Sequence, residues 1–147
     1  MFQQYLSPLS PKWLQTLNVP HPQQLANVID IYDGDNMPDL HTIDLAIIGI
    51  PEARNSQNSS SHLAPDEIRA QLYQMFCWTK PVHIVDLGNL IQGKTPQDTY
   101  EGTAEVMANL LQHKVIPIVL GGSNDIAYAL YRGFAWLEQT VSIVAVD

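Results

Sequence analysis

Four short runs of almost unbroken apolar, largely β-branched residues constrain this chain most. They are residues 43–50 (IDLAIIGI), 82–88 (VHIVDLG), 115–122 (VIPIVLGG) and 141–147 (VSIVAVD). Runs of this kind read as strands buried on both faces. The segments between them carry helical signals. Pro65 opens a helix with Asp66 and Glu67 in its first turn, and its apolar face reads Ile68, Leu72, Met75 and Phe76. Thr95-Pro96 starts a long helix with the face Tyr100, Ala104, Met107, Leu110 and Leu111. Ser123 or Asn124 caps a third, facing inward through Ile126, Leu130, Phe134 and Leu137. Alternating strands and helices predict βαβ units and a parallel sheet with helices on both faces. Pro117 falls near a strand start, where a proline is tolerable.

Residues 1–40 differ. They are rich in Pro and Gln, with short helices expected after Ser10-Pro11 and over residues 22–29, and a turn-rich linker at residues 33–39. That acidic linker lacks the ligand spacing of an EF-hand and reads as a solvated loop. We therefore expect an extension over residues 1–40 and an α/β domain over residues 41–147.

Charge and composition exclude several functions. The net charge is −8, and the seven Lys and Arg residues are scattered, so no basic stripe exists for nucleic acid. No run approaches the roughly 18 apolar residues of a membrane span, and the N-terminus lacks a signal-peptide pattern. The single cysteine, Cys77, cannot form an intrachain disulfide. A cytoplasmic protein is the expectation.

Chemistry in open α/β sheets gathers beyond the C-terminal ends of strands. Three such ends carry suggestive residues: Gly49-Ile50-Pro51, followed later by Ala64-Pro65-Asp66-Glu67-Ile68-Arg69; Asp86-Leu87-Gly88-Asn89; and Gly121-Gly122-Ser123-Asn124-Asp125, followed by a helix and a strand ending in Asp147. In order and spacing these resemble the ureohydrolase family of arginases, agmatinases and formiminoglutamases, and most closely its formiminoglutamase-like branch. The resemblance covers about residues 43–147. It implies an arginase-like three-layer αβα parallel sheet, of which this chain supplies the N-terminal part.

The resemblance further implies manganese-dependent hydrolysis of a guanidino or amidino C–N bond, with two ions activating a hydroxide. The family's first histidine ligand falls on Asn124 and an aspartate ligand on Asp147; the remaining ligands would lie further on. An Asn amide is a weak donor for manganese, so no intact metal site, no bound cofactor and no hydrolysis are expected from this chain alone. Asn124 also reads as a helix N-cap, and Asp147 as a carboxylate binding loop amides. Arg54 and Asn55 open a polar loop, running to Ser61, that reads as a solvated surface or as the flank of a cleft.

Gly121-Gly122 admits a phosphate nest, but no nucleotide-binding glycine pattern accompanies it and Asp125 would repel an anion. The histidines at 21, 41, 62, 83 and 113 show no metal-ligand pairing by spacing. Cys77 reads as a packed thiol, and Ser123 lacks a nucleophile-elbow context. Three functions remain in competition. They are a ureohydrolase acting on a small amidine or guanidine, a non-catalytic pseudo-enzyme or assembly module, and a nucleotide-binding domain. The apolar strand at residues 141–146, with nothing after it to cover it, leads to the expectation of a homo-oligomer.

Overall fold

A computed structural model describes residues 2–77 and 82–146. Three parallel strands form its centre: β3 (Leu45–Gly49), β4 (Ile84–Leu90) and β5 (Ile116–Leu120), in the order β4-β3-β5. Two very short strands from the first forty residues add to β4. β1 (Leu6–Ser7) pairs antiparallel with its end, and β2 (Asp30–Ile31) pairs parallel with its start. The antiparallel β1 departs from the expected all-parallel sheet. It arises because the chain enters alongside β4 instead of crossing over from a helix.

The helices are α1 (Pro11–Leu14), α2 (Ala64–Leu72), α3 (Pro96–Gln112) and α4 (Ile126–Trp136). The second expected N-terminal helix shrinks to a 3-10 turn over Leu25–Asn27. Strand β3 alternates between two cores. Ala46, Ile48 and Ile50 join Val106, Leu110 and Ile126 on the side of α3 and α4, while Ile47 joins Tyr73, Leu25 and Leu9 on the side of α2. Helices thus cover both sheet faces, giving the three layers expected. No helix among the described residues is long and apolar enough to cross a membrane.

Helix α3 begins where the sequence places it. Thr95 Oγ1 accepts from the Asp98 amide at 3.2 Å, and the Asp98 side chain accepts from the Thr95 amide at 2.8 Å, a reciprocal capping box. Thr95→Ala removes one half of it and is expected to lower stability by about 1 kcal/mol, read as a shifted urea midpoint with an unchanged slope.

Two expectations fail here. The buried face of α2 is Pro65 and Arg69, continuing to Tyr73, whereas Ile68, Met75 and Phe76 are exposed. The helix is turned by a charge. Asp86, fully buried on β4, receives Arg69 Nε at 2.8 Å and Nη2 at 3.2 Å, the Tyr73 hydroxyl at 2.7 Å and the Gly88 amide at 2.8 Å. Arg69 completes its donor set on Gly88 O, Asn89 Oδ1 and Asp66 Oδ1. Burial, and then the charge of Asp86, push the Tyr73 hydroxyl well above its ordinary pKa. Among the described residues no buried side-chain polar atom lacks a partner.

The second failure is the fourth strand. Residues 141–146 form no strand and are largely exposed, with Val146 at 92%. A strand exists only through its ladder, and this segment lies beside α4, with Val141 and Ile143 near Leu130 and Phe134, unpaired to any strand. Apolar composition reported a tendency to be buried, not a pairing partner.

His83, immediately before β4, faces acceptors at both ring nitrogens: Asp30 Oδ2 at 2.8 Å and Thr42 O at 2.7 Å. Both nitrogens must donate, so the ring is favoured as the cation. The Asp30 carboxylate, and then the Thr42 carbonyl, raise its pKa above the usual histidine value. A raised folded-state pKa gives stability that is fully present below the unfolded value of about 6.5 and is lost as pH rises through the folded one. Stability is thus expected to decline modestly above about pH 6.5, and His83→Asn to flatten that decline in urea titrations across pH.

Candidate functional site

The loops at the C-terminal ends of β3 and β5 are joined backbone to backbone. After β3 the chain runs through Ile50 and Pro51 to Glu52, whose carbonyl accepts from the Ser123 amide at 2.8 Å and from Ser123 Oγ at 3.0 Å. Gly122 permits this approach, because a Cβ there would lie 2.0 Å from Glu52 O. The turn into α4 is therefore fixed against the loop that follows β3.

The Glu52 side chain is fully buried. It accepts from Arg54 through Nε at 3.0 Å, and also from Nη2 and the Arg54 amide. These bonds from Arg54 outweigh burial and hold the Glu52 carboxyl below its ordinary pKa. Arg54 also donates to the carbonyls of Gly93 and Lys94 and to Thr99 Oγ1. Arg54 is thus a tie between the loop after β3 and the start of α3.

Asn55 points the other way. Its Nδ2 donates to Tyr100 Oη at 2.8 Å and to Asp125 Oδ2 at 3.0 Å. The Tyr100 hydroxyl also donates to Asp125 Oδ2, and Ser123 Oγ to Asp125 Oδ1. Burial works against the charge on Asp125, but bonds from Ser123, Tyr100 and Asn55 prevail and keep its carboxyl below the ordinary range. The same environment raises the Tyr100 hydroxyl, through burial first and then Asp125.

Beside this network opens a polar cleft of about 330 Å³, lined by Asn55, Ser56, Gln57, Ser61, Gly122, Ser123, Asn124 and Asp125. Asn124 and Asn55, singled out separately in the sequence, share it. Asn124 is exposed, and α4 has no side-chain cap at its N-terminus, so the N-cap reading of Asn124 and Ser123 is corrected. Ser123 instead serves Glu52 and Asp125, and the turn closes through backbone bonds such as Ala127 N to Asn124 O at 3.2 Å. Asp147 lies outside the described residues.

Sequence reasoning missed Glu52; it placed Asp125 in the glycine motif and as an anion repellent, without its network, and Tyr100, read as core, is buried but turns its hydroxyl to Asp125. A carboxylate two residues past a buried strand was the available signal for Glu52. Among the described residues no group of three or more His, Cys, Asp or Glu side chains converges; Asn124 offers a neutral amide, and the Asp125 carboxylate accepts from three donors.

Comparison with known proteins places these features. A sequence model of the arginase family matches residues 43–147. A formimidoylglutamase of Vibrio cholerae serotype O1 is 34% identical over 83 residues, which is 56% of this chain and 24% of that protein. One of Legionella pneumophila (strain Lens) is 29% identical over 125 residues, 77% of this chain and 37% of that protein. Among solved structures, formimidoylglutamase from Bacillus subtilis superposes with a TM-score of 0.66 at 23% identity, covering 80% of this chain and 39% of that one. A Trypanosoma cruzi formiminoglutamase with Mn²⁺ gives 0.64 at 19% identity, covering 77% and 40%. The chain thus spans between a quarter and two fifths of the relatives it matches.

Proposed function

The chain belongs to the arginase family, and on that premise we propose that it is the N-terminal part of a formiminoglutamase-like protein whose first metal-ligand position has lost its histidine. The proposed parent activity is hydrolysis of a C–N bond in a small amidine or guanidine. Two manganese ions supply the activated water in such chemistry. This chain's own contribution is the cleft wall of Asn55, Ser123, Asn124 and Asp125. The observation that carries the reading is Asn124, exposed on the cleft at the position where the resemblance puts a histidine. The division into an extension over residues 1–40 and a domain over residues 41–147 belongs to the same proposal, as do a cytoplasmic location and self-association. The exposed Ile116 and Ile118 of β5 support the last, and light scattering tests it.

Calorimetry with manganese chloride tests the main reading. No stoichiometric sub-micromolar site is expected, and none is expected in Asn124→His, since one imidazole does not make a dinuclear centre. Formamide release from formiminoglutamate should not exceed the blank. A tight site in the unmodified chain would overturn the proposal.

A second reading, a non-catalytic binding or assembly module, is favoured by the occupied state of Asp125. Its three donors leave that carboxylate holding the cleft wall together. Nucleotide binding is disfavoured by the same charge, held ionised at the start of α4.

A further inference from the structure

Two histidines meet at the end of the sheet opposite the cleft. His41 lies in the 3-10 turn Leu40–Thr42 that leads into β3, and His113 follows α3 just ahead of β5. Their ring centroids are 4.9 Å apart, with the ring planes inclined at 65°. His41 is exposed and His113 half-buried. Neither takes part in the Asp86 ion pair or the Asp125 network.

The tautomer of His113 follows from its partner. Its Nδ1 lies 2.7 Å from the Asn109 carbonyl, and a carbonyl only accepts, so Nδ1 carries the hydrogen. In the neutral ring the lone pair is then on Nε2. A histidine held by its other N–H on a backbone carbonyl is the usual arrangement of a metal ligand. The backbone at His41 is fixed as well, its amide donating to Asp39 Oδ1 at 3.0 Å. Two imidazole nitrogens about 2.0–2.1 Å from one ion, at an angle between right and tetrahedral, place ring centroids roughly 4.5–5.2 Å apart. The observed spacing falls inside that interval.

We propose that His41 and His113 form a surface bis-imidazole site for a divalent transition-metal ion of the zinc, copper or nickel class, with water completing the coordination. Imidazole suits these ions, whereas manganese and magnesium prefer oxygen donors. Among the described residues no third His, Cys, Asp or Glu joins the pair, so the site is weak and exchangeable. It would link the turn before β3 to the α3–β5 connection. It stands apart from the cleft and does not depend on the functional reading above.

Zinc chloride is the probe, titrated into the intact chain by calorimetry in a non-coordinating buffer. One equivalent is expected, with affinity falling about tenfold or more in His41→Ala and in His113→Ala, and unchanged in His21→Ala and His62→Ala. Circular dichroism checks that each variant is folded. Imidazole resonances of the unmodified protein give a second readout, and zinc should shift those of His41 and His113 first. No binding at millimolar zinc, equal binding in both variants, or shifts confined to other histidines would overturn the proposal.

Discussion

Asp86→Ala should abolish cooperative folding or come close to it. The variant leaves Arg69, fully buried, without its buried carboxylate and with only the part-exposed Asp66 as an anionic partner. Removing one partner of a buried ion pair costs about 3–5 kcal/mol, because the remaining charge stays desolvated. A domain's whole stability is about 5–15 kcal/mol. Arg69→Ala should be similarly severe, since Asp86 would then keep only the Tyr73 hydroxyl and the Gly88 amide. Replacing both partners with apolar residues of similar size, Arg69→Met with Asp86→Leu, should recover most of the loss. Tyr73→Phe removes one bond to a charged group and should cost about 1.5–3 kcal/mol. Urea unfolding followed by circular dichroism measures all four. A single Asp86→Ala variant with an unchanged midpoint would show that water or the remaining carboxylate of Asp66 compensates Arg69.

Gly122→Ala is the second large effect expected, and Gly121→Ala beside it should be nearly silent. A Cβ on Gly121 meets nothing within 4 Å, while one on Gly122 meets Glu52 O at 2.0 Å, Glu52 C at 2.9 Å and Glu52 N at 3.0 Å. All three are backbone atoms, so no rotamer change relieves the clash. The loops after β3 and β5 must part, losing the Ser123-to-Glu52 bonds. Overpacking costs about 1–3 kcal/mol, and each lost hydrogen bond adds about 1 kcal/mol. A surface change such as Gly121→Ala should stay within about 0.5 kcal/mol. Equal urea midpoints for the two variants would show that the loop junction is loose.

These two cases mark what the sequence could and could not disclose. Strands β3, β4 and β5 were legible because their apolar runs were long and bounded by turn residues. The start of α3 was legible because Thr95 and Asp98 act locally. The orientation of α2 was not. Of its expected stripe Leu72 packs on the core, but Ile68 faces solvent because Asp86, distant in sequence, draws Arg69 inward, and Met75 and Phe76 fall beyond the helix end. A pattern that scores apolarity cannot foresee a helix rotated by a paired charge. At the site, Asn124 was found through its glycine motif and Asn55 through the polar loop after β3, and the structure brings them to one cleft. Glu52 lay outside every motif, and Asp125 lay inside one, but the bonds that join Asp125 to Asn55 and Tyr100 cross between segments far apart in sequence and no local pattern announced them.

Pro117 sits on β5, the outer strand of the sheet formed by the described residues. Ile116 donates to Asp44 and Leu120 accepts from Ile50, so the odd-numbered backbone groups of β5 point away from β3. At the first of these positions the proline has no N–H to offer. Any strand laid along that edge forms a ladder one bond short, and the ring crowds its approach. Open-ended growth by stacking copies edge to edge is therefore penalised at every added layer. In the self-association proposed above, contacts at this edge would fall to side chains such as Ile116, exposed there, which can meet in a closed pair and need not propagate into a fibre.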